Sequence, residues 1–385
     1  MAGLVNAARL PAVADVVGTT DATRRWLDDA ALRQRAADAL PGVVTRETWK
    51  YTPLVPFLER FAESEPGAAA IELSGADQPG VTVTAFDALS AERQDQLRRA
   101  IEDAIAPERH ALADLALLRA RGGWLVEVAA ETDAPLEIRY PEAGVVPVVV
   151  LVHANASATL VEHLCTRDFL AQVTHVDLAA GARVEHHRAA LEPDVGHYAL
   201  LNVHLERDAA YRLTQSATGG RRRRLETHVT LDGGGATAEL SGAYLVEDGQ
   251  HLDQQLVIEH RQGHTRSHQK FHGIGAGKGR SVFNGRIHIH RHAPASDAQL
   301  SNRNLALHPE AEMNTKPELE IYTDDVRCAH GATVGRLSDD ALFYLTARGI
   351  PEPEARRLLA YGFVGECLDG PLADAAVQRF REALS

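Results

Sequence analysis

Between about Gly122 and Val334 the chain alternates apolar and polar residues in short runs broken by glycine, and no segment there sustains a 3.6-residue period. Leu225, Thr227, Val229 and Leu231 alternate with charged or polar neighbours until Asp232-Gly233-Gly234-Gly235 turns the chain. Leu252, Gln254, Leu256 and Ile258 repeat the pattern before Gln262-Gly263. Roughly two hundred residues of this texture predict a large all-β body whose strand spacing suits a sandwich, a barrel or a stacked coil. No repeat of fixed length is present, so periodicity alone does not choose among the three.

The flanks read differently. Asp21-Ala22-Thr23 leads into a helical pattern over Arg24 to Leu40, with Trp26, Leu27, Ala30 and Ala31 as apolar positions and Pro41-Gly42 as its stop. A second pattern covers Ser90 to Arg121, with a break near Pro107. Thr48 to Arg60 and Ile71 to Phe86 read as mixed short elements, which makes residues 1–121 an irregular, α-rich domain ahead of a β core over 122–336. Helical pattern returns over 337–385: Asp339-Asp340 can cap a helix from Ala341 to Arg348 that Gly349 ends, Pro351-Glu352-Pro353 opens another that stops at Tyr361-Gly362, and a last one runs from about Asp369 to Ala383. Leu342, Phe343, Leu345, Leu358, Leu359 and Phe363 would form the apolar side of this bundle, either closing the end of the β body or docking a partner.

With 385 residues, 45% hydrophobic and 24% charged, the chain has the profile of an ordinary globular protein. Its formal charge of -13 argues against a general nucleic-acid binder. The one basic run, Arg221 to Arg224, reads as a solvated loop or strand entry. The most apolar run, Gly144 to Val152, is short and contains Pro147, so neither a signal peptide nor a membrane span is expected. Three cysteines, Cys165, Cys328 and Cys367, are too few for a disulfide framework and fit a reducing, cytoplasmic compartment. Cys165 and Cys367 read as small buried apolar residues.

Candidate chemistry concentrates where imidazoles do. Eighteen of the nineteen histidines fall between His153 and His330. In an extended strand, residues i and i+2 share a face, so Cys328 and His330 set a soft sulfur beside a borderline nitrogen, a pair suited to iron or zinc. A histidine beside a thiol can also take its proton, giving the thiolate that binds metal or accepts sulfur. His288, His290 and His292 also alternate, but residues in line along a strand lie ~6.6 Å apart and converge poorly on one ion. Gly273 to Gly279 invites a phosphate-loop reading and fails it: the pattern needs glycine at His272 and Ser or Thr at Gly279.

Four blocks in order, Trp49-Lys50-Tyr51-Thr52-Pro53-Leu54, Asn302-Arg303-Asn304-Leu305, Leu319 to Gly335, and Leu342-Phe343-Tyr344-Leu345 through Arg348-Gly349-Ile350 to Gly362-Phe363, resemble the SufD family of the SUF iron-sulfur cluster assembly machinery. The SufB paralogue reads Glu-His-Glu-Ala-Thr where this chain has Cys328-Ala329-His330-Gly331-Ala332-Thr333. The resemblance implies a mainly β fold, a right-handed parallel β-helix core between two helical regions. It implies a non-catalytic scaffold that meets a SufB-like paralogue edge to edge, with His330 facing outward as ligand or proton handler and Cys328 beside it, serving a transient iron-sulfur cluster or iron. Asn302-Arg303-Asn304 carries no cysteine where SufB has a functional one, which leaves the sulfur-accepting thiol to the partner. The C-terminal helices, through Leu342, Phe343, Tyr344, Arg348, Gly349, Ile350, Gly362 and Phe363, would bind a SufC-like ABC ATPase, so no nucleotide is expected on this chain; a reduced flavin has a place in the full complex. An exposed β edge would also allow a homodimer of the isolated chain. Two other readings stay open: a stand-alone metal-dependent β-solenoid or cupin-like enzyme using His288, His290 and His292, and a purely structural role in which His330 only supports packing.

Overall fold

The computed structural model describes residues 16, 27, 29–43, 47–63, 70–104, 110–193 and 195–384, and the expected helix start at Asp21 to Trp26 and the break at Pro107 lie outside them. Within the described residues, the chain is mainly β: eighteen strands, from β1 (Glu72–Ser74) to β18 (Val326–Gly335), with seven α-helices beside them. Two nine-stranded sheets face each other, one built from β1 and the even-numbered strands from β4 on, the other from β2 and the odd-numbered strands from β3 on. From β3 (Trp124–Val128) onward every strand pairs in parallel with the strand two places on, which is the pairing of a β-solenoid with two strands per coil. Of the three architectures that strand spacing permitted, the stacked coil is the one adopted.

Why no fixed repeat shows in the sequence is visible in the register. Gly144 pairs with Leu170, 26 residues on, Ala210 with Thr237, 27 on, and Arg280 with Glu312, 32 on. Strand length is held near ten residues while the connecting turns lengthen, so the coil stacks without a constant period. One corner nonetheless repeats its backbone. Asn155, Gly181, Asp208, Gly235, His264 and Ala295, one per coil, all take left-handed φ values between 57° and 78°. Each donates its amide to the carbonyl at the same corner of the next coil, as Gly181 does to Arg207 (2.9 Å), Asp208 to Gly234 (3.1 Å) and His264 to Pro294 (2.9 Å). A left-handed residue bends the chain sharply enough to reverse it between sheets while leaving that amide free for the neighbouring coil.

Between the sheets lies one apolar core, with Val126, Val148, Leu201, Leu231, Tyr244, Phe271 and Phe283 among its members. The outer face of the odd sheet is covered by the N-terminal region, where Trp49, Phe57, Leu58 and Phe61 pack with Val149, Val173 and Leu200. That region is only partly helical: α1 (Asp29–Val43), α2 (Val55–Glu63), α3 (Ala91–Ala104) and α4 (Ala111–Arg119) are interspersed with β1, β2 (Val81–Ala85) and short 3-10 turns. Pro41-Gly42 does not stop α1, which continues to Val43. The Arg221–Arg224 run does enter a strand, but Arg223 and Arg224 are fully buried rather than solvated. The Arg224 guanidinium stacks over the Trp49 ring at 3.8 Å and pairs with Glu226 (2.5 Å) and Asp253, joining the first sequence block to the sheet.

The two ends of the solenoid differ. At the first coils, β1 and β2 run antiparallel to β4 (Leu136–Arg139) and β3 and form the outermost strands there. At the last, β17 (Glu312–Ile321) and β18 each pair on one side only among the described residues. The C-terminal helices α5 (Asp339–Thr346), α6 (Glu352–Gly365) and α7 (Ala373–Ala383) do not close that end, contrary to the capping reading. Instead Ala360, Val364, Cys367 and Phe380 pack with Ala243, Leu245 and Ile274 on the flank of the even sheet. Ser338, not Asp339 or Asp340, caps α5, accepting from the Ala341 amide at 3.3 Å. Gly349 stands after α5 with φ 85°, and α6 continues past Tyr361-Gly362 to Gly365.

Candidate functional site

The open end is built by β16 (Ser296–Ala306), β17 and β18. Cys328 pairs in register with Ala298 and His330 with Leu300, both buried core positions, so the two side chains occupy the face that forms the interior in every earlier coil. Cys328 is half-buried and packs against the core, whereas His330 is exposed because no further coil stacks beyond it. Burial pushes the Cys328 thiol above its ordinary pKa, so in the isolated chain it is held as the neutral thiol. Ile321, Tyr322 and Val334 extend an exposed apolar rim along the same edge.

Behind the edge, the Asn302-Arg303-Asn304-Leu305 block holds the last strands. Asn302 donates to the Tyr244 hydroxyl (3.1 Å) and the Phe271 carbonyl (3.2 Å), while Thr315 of β17 donates to its Oδ1 (2.7 Å). Asn304 accepts from the Tyr244 hydroxyl (2.6 Å) and donates to Asn302 Oδ1 (2.8 Å) and to the Thr333 carbonyl of β18 (3.2 Å). Sequence reading found this block only by resemblance; its amides fix β17 and β18 from inside the coil. On the outer surface a groove of about 650 Å³ runs beside His330, lined in part by Lys270, Arg303 and Glu366.

The expected ATPase-docking set divides. Phe343 and Tyr344 are 73% and 56% exposed, and Arg348, Gly349 and Gly362 are exposed too, with the Arg348 guanidinium 3.6 Å over the Tyr344 ring. Leu342 and Ile350 are partly buried, and Phe363 stacks on His272 at 4.4 Å, tying α6 to the even sheet. Helix α5 buries no residue fully, and Leu358 is 45% exposed, so Phe343 and Leu358 do not form the packed side of a bundle. Of the other cysteines, Cys367 is buried, with its thiol pushed up to about 11 by that burial; Cys165 is only half-buried, its thiol donating to the Tyr140 carbonyl at 3.4 Å.

The histidine row does not assemble as spaced. His288 and His290 stack with ring centroids 4.0 Å apart, but β15 (Arg280–Ile289) has ended by then and the turn closed by Ala293 bonding His290 (3.1 Å) carries exposed His292 away. Glu259 of β13 (His251–His260), which pairs in register with His288, completes the group. No sequence signal links positions 29 residues apart; only the coil register does.

Fold and edge together define the class: a parallel β-solenoid with helical flanks, bordered by antiparallel strands at its first coil and by parallel strands at its last. Residues 141–363 match the family model described as SUF system FeS cluster assembly, SufBD core domain. The iron-sulfur cluster assembly protein SufD of Escherichia coli is 36% identical over 217 residues, 55% of this chain and 51% of that protein. A SufBD family protein of Mycobacterium bovis is 33% identical over 259 residues, 65% of this chain and 61% of the relative. SufD of Bacillus subtilis is 32% identical over 164 residues, 39% of this chain and 38% of that protein. The chain belongs to the SufBD family. It spans between about half and three-fifths of the length of the curated relatives it matches first. No helix among the described residues is long and apolar enough to cross a membrane.

Proposed function

We propose that this chain is a non-catalytic scaffold subunit of a SUF-type complex, pairing its open coil with a SufB-like paralogue so that His330, with Cys328 beside it, reaches a nascent iron-sulfur cluster. The observation that carries this reading is the last coil: β18, a parallel strand that pairs on one side only among the described residues, carries an exposed imidazole two residues from a half-buried thiol. A paralogue adding strands to β17 and β18 would satisfy their unpaired backbone groups and cover the Ile321, Tyr322 and Val334 rim. It would also place the imidazole inside a site shared by two chains, so that docking gates the chemistry. Within that site the imidazole would ligate iron or handle a proton, and the cluster is cargo that departs.

Phe343, Tyr344 and Leu358 would bind a SufC-like ATPase, with Arg348 holding the Tyr344 ring in place. ATP-driven pairing of two such ATPases could then strain the shared edge and open the cluster site. Support for this half of the reading is the exposure of two aromatic rings on a helix that its own protein leaves uncovered. An ATPase on the partner would explain why residues 276–279 of the Gly273–Gly279 segment are a plain turn between β14 (Arg266–Gly275), which takes its first three residues, and β15. A cytoplasmic site of action follows from the same reading, as does a weak homodimer when the paralogue is absent.

The test is His330→Ala in the co-purified complex, with iron and sulfide quantified. Intact assembly with lost cluster is the expected result. Normal cluster loading in both the His330→Ala and Cys328→Ser complexes would instead support the purely structural role.

A further inference from the structure

Among the described residues, and apart from the open end, one group of side chains has the composition of a metal site. Glu259, His288 and His290 each place a ligand atom within 4.8 Å of the other two. We propose that they bind one divalent first-row transition ion, zinc or ferrous iron by class, on the outer face of the odd sheet. A two-histidine, one-carboxylate set is the donor combination that such ions favour, and it leaves coordination positions open to water or another ligand.

One of the three ligand pairs already stands near the spacing an ion requires, and the others lie within 4.8 Å. Bonds of about 2.0–2.1 Å to nitrogen and oxygen put neighbouring ligand atoms roughly 3.3 Å apart in a tetrahedral site. His290 Nε2 stands 3.4 Å from Glu259 Oε2 already. His288 Nδ1 is buried without a hydrogen-bond partner, and so is His290 Nε2.

The surroundings orient the set. His228 Nε2 lies 3.7 Å from Glu259 Oε1, and its own Nδ1 is 3.3 Å from His110, whose other nitrogen meets Glu226 at 2.7 Å. A chain of this kind, reaching from a ligating carboxylate into a fixed network, is how ligands are held in place. Tyr322, at the end of β17, sets its ring 5.3 Å from His288, so the site reaches the open edge of the solenoid. Arg261, 3.5 Å from Glu259 Oε2 and half-exposed, occupies the carboxylate until an ion displaces it.

The experiment is a titration of the untagged full chain with zinc against a chromophoric chelator, followed by cobalt as a spectroscopic probe. One equivalent should bind, with visible cobalt absorption and a rise in melting temperature on adding zinc. His290→Ala and Glu259→Gln should each weaken zinc by about tenfold or more, since even the outer partners of a ligand are worth that much. His292→Ala should bind like the parent. His290 is half-exposed, so its variant is expected to fold, and circular dichroism checks this. The Cys328→Ser/His330→Ala variant should retain the equivalent, which separates this site from the cluster edge. No bound equivalent in the parent, its loss in the Cys328/His330 variant, or undiminished affinity in folded His290→Ala would each overturn the proposal.

Discussion

Asn304 donates from Nδ2 to the carbonyl of Thr333 at 3.2 Å, and this bond ties the open strand that carries His330 to the coil beneath it. The same side chain accepts from Tyr244 at 2.6 Å, so one buried amide couples the last strand to the core.

Replacing Asn304 with Ala would leave the Tyr244 hydroxyl and the Asn302 amide short of partners inside the coil. Losing buried hydrogen bonds in this way costs about 1–3 kcal/mol. The expected outcome is a lower urea midpoint, together with faster amide exchange across Val326–Gly335 than across earlier strands. Uniform exchange would show that β18 is held without Asn304.

Alkylation of Cys328 should be slow at neutral pH in the isolated chain. Burial raises its pKa, so the thiolate fraction at any given pH is smaller than for an exposed cysteine, and the reaction should accelerate only above the usual thiol range. Iodoacetamide rates against pH, measured with Cys165 and Cys367 replaced by Ala, give the midpoint. A midpoint at or below that of a free cysteine would contradict the burial seen here.

Stability should fall in two stages on acidification. Burial lowers His175, His251 and His260 to about 4, so they stay neutral in the folded chain while the unfolded chain takes up protons near 6.5; their contribution is complete above 6.5 and lost as pH falls toward 4. Burial alone would raise the carboxyls of Glu162 and Glu226. Arg188 and His186 for the first, and Arg224 and His110 for the second, outweigh it and hold each at about 2. Their contribution is present above the unfolded value near 4.5 and drains as pH drops toward 2. Urea midpoints from pH 8 downward should therefore begin to fall below about 6.5; a flat profile down to pH 5 would refute the histidine stage.

Phe343→Glu should leave the unfolding free energy from urea titration within about 0.5 kcal/mol of the parent, because the ring is 73% exposed. Under the proposed docking, the same change should abolish co-purification of the ATPase while sparing the paralogue. Retained ATPase would move that interface elsewhere.

At the repeating corner, a Cβ on Gly181 would lie 2.5 Å from Asn155 Oδ1 in a left-handed backbone. Gly181→Ala should therefore destabilise by about 1–2 kcal/mol. Ala295 already has φ 57°, and Ala295→Gly should be neutral or stabilising by up to about 1 kcal/mol, since relieved strain offsets the added freedom of the unfolded chain. Thermal melts of the two variants moving in the same direction would break the corner argument.

The amino-acid sequence by itself determined the all-β body, the helical C-terminal stretch and the pairing of Cys328 with His330, because alternation and helical period are local properties of neighbouring residues. Its quoted blocks also carried the family resemblance. The tertiary structure decided what depends on residues a whole coil apart. Coil lengths that drift from 24 to 32 residues hid the solenoid from any fixed-period search. Burial of Arg223 and Arg224 required carbonyls and carboxylates from other coils to satisfy a run that reads as solvated. The exclusion of His292 in favour of Glu259 came from where β15 stops and which strand lies beside it. Likewise, His330 is exposed because the stack ends there, a fact of position in the whole coil that no neighbouring residue encodes.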